Sequence, residues 1–351
     1  MPAAVAPPAH PVGPVRWSAA MERALYGPGG FYVAGEGAVG HFRTSAAASP
    51  AVRTVFAEAL AELLQRIDAE LRHPEWLDCV DVGGGSGDLL EAVLAAVDPK
   101  LGSRLRPCVV ERRRRPSGLS ARVGWLDAVP ELTGLLLANE WLDNVPVDVV
   151  VGEAAHRVLL VDTDGTESSG PAPALEEAAW LGRWWRFGPR REIGLQRDRA
   201  WAGAVCKLRR GLAVAIDYAH TVDDRPVYGT LTGFQRGRET VPIPDGRCDL
   251  TAHVAIDSVA AAGQDALRTA TNFAVRSILT DQRTALRCLG VSGRRPDHVA
   301  DPRGYAAALQ RAGDSAELID RRGLGGFTWL VQGVGIDPAA ILPELSARSL
   351  P

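Results

Sequence analysis

The stretch VDVGGGSGDLL (80–90) contains residues whose types and spacing suit the binding of a small charged ligand. Its spacing is D-x-G-x-G-x-G, from Asp81 through Gly83, Gly85 and Gly87. Glycines let backbone amides approach a ligand closely because no Cβ atom stands between them. A helical pattern follows the turn, and the first turn of a helix offers unpaired N–H groups and a positive dipole end.

The spacing of this turn also separates two classes of ligand. A dinucleotide fingerprint, G-x-G-x-x-G, needs glycine at its sixth position, where Asp88 or Leu90 stands instead. An acid at the turn suits a ligand with a cationic amino group, such as S-adenosylmethionine, better than a pyrophosphate. Glu111 ends the next apolar run, and its carboxylate could accept both ribose hydroxyls. The pattern therefore favours S-adenosylmethionine over a nicotinamide cofactor, while a turn that only packs a helix on a strand is the structural alternative.

A second polar group ends another apolar run in LANEWLDNVPV (137–147). Methyl transfer from a sulfonium needs an oriented, desolvated nucleophile more than strong acid–base chemistry. The carboxylates of Glu140 and Asp143 could hold a cationic nucleophile such as a guanidinium and accept its proton. Asn139 could orient an amine through its carbonyl oxygen. Acids that favour the dipole of a helix N-terminus are the alternative interpretation.

The segment CDLTAHVAID (248–257) adds Asp249 and His253, which would share a face if the segment were helical. His253 could act as a general base or could be a satisfied loop residue, and the spacing leaves both open. The five cysteines are scattered, without a C-x-x-C pair or paired histidines. This usage fits a reducing compartment and predicts neither a metal site nor a disulfide framework.

Strand and helix patterns alternate along the chain. We predict helices over 51–71 and 88–97, and strands over 76–83, 107–111, 134–139, 211–218 and the end of 323–335. Such alternation is typical of βαβ units in a mostly parallel sheet with helices on both faces. Ligands of these sheets lie beyond the carboxyl ends of the strands. The predicted fold class is therefore α/β and Rossmann-like, with an inserted irregular subdomain.

The domain organisation follows from shifts in composition. We expect a flexible leader, a glycine-rich and aromatic loop that forms a lid, a core, an inserted substrate-side segment, and a C-terminal part of the core, over 1–20, 21–50, 51–224, 225–285 and 286–351. The net charge of −3 gives no argument for nucleic acid. No secretory pattern and no apolar run of about 18 residues is found, so we predict a cytoplasmic protein without a membrane span.

These stretches together resemble the MidA-type methyltransferases, the family that includes the mitochondrial complex I assembly methyltransferase acting on a protein arginine. The resemblance runs from about Met21 to about Gly335, and its pieces are MERALYGPGGFY, GHFRTS, VDVGGGSGDLL, LANEWLDNVPV, GLAVAIDY, TLTGF, CDLTAHVAID and GLGGF. It implies a class I methyltransferase fold and a protein acceptor, which by resemblance is a respiratory complex subunit. It also implies site residues: Asp81, Gly83, Gly85, Gly87 and Glu111 on S-adenosylmethionine, Thr44 covering it, and Asn139, Glu140, Asp143 and His253 facing the acceptor. We add Asp127 as a candidate contact to the adenine.

The chain departs from the family pattern in the segment before residue 51. His41 replaces the usual Asp of G-D-F-x-T, and AAASP (46–50) replaces the segment that normally follows. The lid and the acceptor pocket could therefore differ from those of the family. Two alternatives stay open: a methyltransferase of a small molecule, and a non-catalytic assembly factor that retains the fold. The sequence leaves the oligomeric state and the degree of methylation undetermined.

Overall fold

The computed structural model describes residues 13–34, 49–152 and 155–343. Its helices are α1 (Trp17–Tyr26), α2 (Phe31–Ala34), α3 (Pro50–Glu70), α4 (Asp88–Ala96), α5 (Pro99–Gly102), α6 (Leu175–Trp184), α7 (Leu195–Val205), α8 (Ile256–Ala270), α9 (Gln282–Cys288), α10 (Tyr305–Leu318) and α11 (Pro338–Ile341). Its strands are β1 (Val15–Arg16), β2 (Leu77–Val82), β3 (Leu105–Val110), β4 (Gly124–Leu126), β5 (Leu132–Asn139), β6 (Asp148–Val151), β7 (Arg157–Val161), β8 (Glu167–Ser169), β9 (Arg190–Ile193), β10 (Leu208–Asp217), β11 (Ala219–His220), β12 (Thr232–Gln235), β13 (Arg238–Thr240), β14 (Asp249–Thr251), β15 (Val254–Ala255), β16 (Val275–Asp281) and β17 (Thr328–Val334). Short 3-10 helices cover Leu142–Asn144 and Leu324–Gly326.

The chain forms two compact units, neither of which is one continuous stretch. The first unit comprises 1–42, 143–199 and 220–258, and the second comprises 43–142, 200–219 and 259–351. The functional division into lid, core and substrate-side segment stays a prediction.

The second unit is built on a seven-stranded sheet with the order β16-β17-β10-β5-β2-β3-β4. Neighbouring strands from β10 to β4 are parallel, whereas β17 is antiparallel to both β10 and β16. The mostly parallel α/β sheet predicted from the sequence is thus confirmed. The chain order reverses beside β2, since β3 and β4 continue on one side of it while β5 and β10 lie on the other.

Apolar packing against α3 stabilises the seven-stranded sheet. Every residue of β2 is buried, as expected for a parallel strand covered on both faces. The Oγ atom of Ser49 accepts a 3.1 Å hydrogen bond from the Val52 amide, and Pro50 occupies the first helical turn. Phe56, Leu63 and other buried side chains of α3 belong to the cluster that contains the strand residues. Each such large apolar side chain contributes roughly 1.5–3 kcal/mol of burial free energy.

The first unit contains small antiparallel sheets. One has the order β1-β7-β6-β9, with β8 pairing to β7, and another has the order β13-β12-β14. The loop predicted over 21–50 is wrong for residues 21–26, which continue α1, and for Phe31–Ala34, which form α2. Trp17, Met21 and Leu25 recur every four residues, so they form one buried helical face. The irregular character predicted for the inserted segment is likewise wrong at β12, β13 and β14.

Candidate functional site

The reversal of strand order beside β2 marks the place where open α/β sheets bind ligands, beyond the carboxyl ends of the strands. The glycine turn (83–87) follows β2 directly, and Asn139 ends β5, the neighbour of β2 on the other side. Both segments belong to the second unit. The sheet therefore brings the predicted cofactor turn and the start of the predicted acceptor segment to one edge.

Three glycines of the turn have left-handed backbone angles. The φ values are +73° at Gly83, +58° at Gly85 and +82° at Gly87, which favour glycine. A Cβ atom at Gly83 would lie 2.6 Å from Cδ1 of Trp141, and one at Gly87 would lie 2.8 Å from Cδ1 of Leu119. At Gly85, in contrast, a Cβ atom would meet no atom of the described residues within 4 Å. Packing therefore requires Gly83 and Gly87, whereas Gly85 faces open space that a ligand can approach.

Two carboxylates border this turn. Asp81 is only 2% exposed, and a Cβ atom at Gly84 would lie 2.6 Å from its Oδ2. Burial, and secondarily the negative charge of Glu111, raises the pKa of Asp81 to about 7. Glu111 accepts backbone N–H bonds from Gly85 at 3.1 Å through Oε2 and from Arg112 at 2.7 Å through Oε1. The site thus presents the accessible carboxylate of Glu111 and the buried carboxyl group of Asp81, whose charge depends on the ligand that binds beside it.

Of the two further residues predicted to bind the cofactor, only Asp127 lies within the described residues. Asp127 is exposed and directly follows β4, where the Leu126 carbonyl accepts the Glu111 amide at 2.9 Å. Asp127 is therefore the chain neighbour of Leu126, whose carbonyl contacts the Glu111 backbone. Thr44, with Ser45 and His41, lies outside the described residues. Its predicted role in covering the cofactor stays a prediction.

Asn139 and Glu140 form a rigid polar corner at the end of β5. The Glu140 amide donates to the Ile216 carbonyl at 2.8 Å, and the Glu140 backbone has the left-handed φ of +53°. Asn139 Nδ2 donates to Glu140 Oε1 at 3.1 Å. Among the described residues, the buried Oδ1 of Asn139 has no hydrogen-bond partner. A buried acceptor without a donor and a strained backbone are both features that concentrate at functional sites.

Two residues that the sequence analysis did not assign to the site hold this corner in place. Asp217 is 1% exposed at the end of β10, and its carboxylate accepts the amides of Leu142 and Tyr218, each at 3.0 Å. Trp141 packs against Gly83, as described above, and so joins the corner to the glycine turn. The signal for Asp217 was available, because an acid ends the apolar run GLAVAID (211–217). Its bond to Leu142 could not be inferred from the spacing.

Asp143, predicted to face the acceptor, belongs to the first unit. It is 7% exposed, and it accepts a 2.8 Å hydrogen bond from the Thr251 hydroxyl. Asn144 Nδ2 donates to Asp249 at 3.0 Å, and the Tyr32 hydroxyl donates to the other oxygen of Asp249, also at 3.0 Å. Burial raises the pKa of Asp143, while burial and then the charge of Asp143 raise the pKa of Asp249 to about 8. These two carboxylates therefore form a buried acidic pair that favours protonation.

His253 is joined to this pair through its backbone. The Arg197 guanidinium donates to the carbonyls of Asp143 at 2.6 Å and His253 at 2.9 Å, as well as to those of Val145 and Ala252. Asp249 lies in β14 and not in a helix, so the shared helical face considered for Asp249 and His253 does not exist. Partial burial, and secondarily the charge of Arg197, lowers the pKa of His253. The imidazole is therefore neutral near pH 7, the state that a general base requires.

The described residues contain no group of three or more His, Cys, Asp or Glu side chains arranged to hold a metal ion. In the same part of the chain, the helices are too short or too polar to cross a membrane.

Comparisons with known proteins agree with this geometry. A family model described as "Putative S-adenosyl-L-methionine-dependent methyltransferase" matches residues 55–273. A crystal structure of a COG1565 superfamily member from Burkholderia thailandensis, bound to S-adenosyl-homocysteine, is 28% identical, with a TM-score of 0.77 over 96% of this chain and 92% of that chain. The native structure of a COG1565 superfamily protein from the same organism is 26% identical, with a TM-score of 0.73 and the same coverage. The search of curated proteins finds no match.

The matched range includes the glycine turn, Glu111 and the Asn139–Glu140 corner. Open space beside Gly85 and the carboxylate of Glu111 fit a cofactor with an adenosyl group. The prediction of an S-adenosylmethionine-dependent enzyme is confirmed, and a fold retained without that chemistry is not favoured. The chain belongs to this family of S-adenosyl-L-methionine-dependent methyltransferases.

Proposed function

We propose that this methyltransferase acts on a nitrogen atom of a protein, specifically on an arginine guanidinium. The observation that carries the proposal is the Asn139–Glu140 corner, where a buried acceptor without a partner among the described residues stands beside a carboxylate. A guanidinium presents five N–H donors in a planar fork and a positive charge. Such a group would satisfy Asn139 Oδ1 and pair with the Glu140 carboxylate at the same time.

The bound cofactor supplies a methyl group on a sulfonium, which is a good leaving group. The chain must therefore hold the acceptor nitrogen in line with that methyl and keep water away. Asn139 Oδ1 would accept an acceptor N–H, and this bond fixes the direction of the nitrogen. Glu140 would neutralise the guanidinium and receive the proton that the nitrogen loses. The bond from the Glu140 amide to Ile216 fixes the backbone from which this carboxylate projects.

The remaining assignments form part of the same proposal. Gly83, Gly85, Gly87 and Glu111 would contact the cofactor, with Asp81 beneath the turn, and Thr44 and Asp127 would contribute at its periphery. Asp143 and His253 would serve the acceptor side. By the resemblance to the MidA-type family, the acceptor would be a respiratory complex subunit. A cytoplasmic setting is supported by five free cysteines.

A labelling experiment tests the acceptor. Purified protein is incubated with cell lysate and S-adenosylmethionine that carries a labelled methyl group, and protein and small-molecule fractions are counted separately. We expect label in protein, released as methylarginine on acid hydrolysis. Label confined to the small-molecule fraction would contradict the protein acceptor and support the alternative of a small-molecule methyltransferase. Absence of label from both fractions would contradict the proposed acceptor outright.

The role of Glu140 needs its own variant and control. Glu140→Gln retains the shape but loses the charge, so we expect transfer to fall by at least about 100-fold, a typical loss for an acid–base group. The affinity for S-adenosylmethionine, measured by calorimetry, should stay unchanged. Glu131→Gln is the matched control, because Glu131 is exposed directly before the same strand, where it pairs with Arg209. Unchanged turnover in Glu140→Gln would contradict a role of the Glu140 carboxylate in methyl transfer.

A further inference from the structure

A cavity of about 990 Å³ lies in the second unit, between α9, the loop that follows it, and the end of α10. None of its lining residues belongs to the glycine turn, to Glu111 or to the segment 139–142. Its volume lies in the range of pockets that take small organic molecules. The cavity is therefore a separate candidate for ligand binding, on which nothing in the proposed methyl transfer depends.

The cavity is shaped by the end of α9 and by the close approach of Gly293 to α10. Gly290 has a φ of +89°, and the Val291 amide bonds to the Leu286 carbonyl at 2.9 Å, which terminates α9 and turns the chain. Gly293 then lies against α10, since a Cβ atom there would be 3.1 Å from Cβ of Ala316. The loop 290–294 is thus fixed at both ends rather than free to fill the space.

Three guanidinium groups line the cavity. Arg283 and Arg287 are four residues apart and share a face of α9, and Arg294 extends from the loop. Within the described ranges, no hydrogen bond or ion pair engages the guanidinium of Arg287 or Arg294. Arg283 donates through Nη1 to the Ile319 carbonyl at 2.6 Å, but its buried Nε has no partner there. Among the described residues, the guanidinium groups of Arg287 and Arg294 therefore keep N–H donors that no protein group uses.

The remaining charges of the lining limit which ligand fits. Glu317 and Asp320 also border the cavity, so cationic groups exceed anionic ones by one. Oδ1 of Asp320 accepts a 3.2 Å hydrogen bond from the Arg322 amide. One oxygen of this carboxylate is therefore engaged by the backbone that follows it. A lining with both signs suits a small ligand with one compact anionic group better than a long polyanion.

We propose that this cavity binds a phosphate dianion held by Arg283, Arg287 and Arg294. Planar guanidinium groups match the geometry of phosphate oxygens and form charge-assisted hydrogen bonds with them. The dianion could come from free phosphate or from a phosphate monoester, because the lining also includes the apolar residues Val291 and Ile319, which suit an organic group. Binding needs neither the cofactor nor the methyl acceptor.

Calorimetric titration of the full chain tests the site. Inorganic phosphate and glycerol phosphate are added separately, with chloride to hold the ionic strength constant. We expect saturable binding of at least one probe, with a dissociation constant of about 1 mM or below. Tighter binding of the ester would identify a phosphorylated metabolite as the ligand. Equal or tighter binding of the inorganic ion would identify free phosphate as the ligand. Both results support the site. No saturable binding of either probe would overturn it.

Variants show whether binding occurs in this cavity. The double variant Arg287→Gln/Arg294→Gln should weaken phosphate binding by at least about tenfold, because it removes two charged donors. Arg268→Gln, at an exposed position in the last turn of α8, is the matched control and should bind phosphate normally. Unchanged S-adenosylmethionine affinity in the double variant would confirm that it is folded. Wild-type phosphate affinity in a folded double variant would overturn the proposal.

Discussion

The backbone amide of Gly85 donates a 3.1 Å hydrogen bond to Oε2 of Glu111. This bond joins the turn after β2 to the residue that ends β3, two places that the sequence predicts separately to bind the cofactor. Because the amides of Gly85 and Arg112 hold the two oxygens of the Glu111 carboxylate, its orientation is set before a ligand arrives. Preorganisation of this kind lowers the entropic cost of binding.

The variant Gly85→Val tests whether the glycine turn holds the cofactor. A valine would adopt the φ of +58° only with strain, and its side chain would enter the open space beside the turn. We expect S-adenosylmethionine affinity, measured by calorimetry, to fall by at least about tenfold, or about 1.4 kcal/mol. Gly203→Ala in α7, where a Cβ atom also meets nothing within 4 Å in the described part of the chain, should leave the affinity unchanged. Normal affinity in Gly85→Val would show that the turn is only structural.

The raised pKa of Asp81, about 7, predicts proton release when the cofactor binds. Burial favours protonated Asp81, so its contribution to stability is present at about pH 4 and is lost as the pH rises through about 7. A cationic cofactor beside Asp81 would favour the carboxylate and expel the proton. Calorimetry at about pH 6.5 in two buffers of different ionisation enthalpy should therefore give different binding heats. The difference should vanish in Asp81→Asn, and equal heats for the wild-type protein would contradict this linkage.

The buried acidic pair of Asp143 and Asp249 predicts a loss of stability at alkaline pH. The pKa of Asp249 is raised to about 8, so the folded state binds a proton that the unfolded state releases above about pH 4. The free energy of unfolding, measured with urea, should therefore decrease between about pH 5 and about pH 9, by at least about 1 kcal/mol. Asp249→Asn should reduce this decrease, and the part that remains should include the contribution of Asp81. Asp245→Asn, at an exposed position that pairs with Arg247, should not reduce it.

Asp217 is expected to act through the position of the Asn139–Glu140 corner. Replacement by alanine removes the acceptor for the Leu142 and Tyr218 amides, and a buried unsatisfied donor costs about 1–3 kcal/mol. We expect Asp217→Ala to lower the free energy of unfolding by that amount, and to lower the rate of methyl transfer more than the cofactor affinity. Asp217→Asn keeps one acceptor oxygen and should recover part of both losses. A fall in stability without a fall in transfer rate would limit Asp217 to a structural role.

Local patterns predict the part of the fold that surrounds the glycine turn. An apolar run, a glycine turn and a helical pattern are adjacent in the sequence, and β2, the turn and α4 are adjacent in the structure. The helix α1 was missed because the glycines at Gly27–Gly30 and the surrounding aromatics resemble a loop. The buried face of α1 depends on a tertiary cluster, because Met21 belongs to the same apolar cluster as Leu250, more than 200 residues away in the chain. Propensity within a short window contains no information about that contact.

The same distinction applies to the candidate site. Glu111 and Asn139 could be singled out because each ends an apolar run, and strands of a parallel sheet end at one edge. The surroundings of Asp143 could not be inferred, because Thr251 lies 108 residues further along the chain. Its burial shows that Asp143 has a structural role in the first unit. Its contribution to the acceptor side stays a prediction.

The position of β17 has a consequence for how the chain acquires its structure during synthesis. This strand pairs with both β10 and β16, although it is the last strand within the described residues. A ribosome must therefore translate beyond residue 334 before the sheet can close, and until then β10 and β16 each expose an unpaired edge. Such edges associate readily with other chains. Nascent chains of this protein should thus depend on chaperones late in translation, and premature termination before β17 should yield aggregates rather than a shortened enzyme.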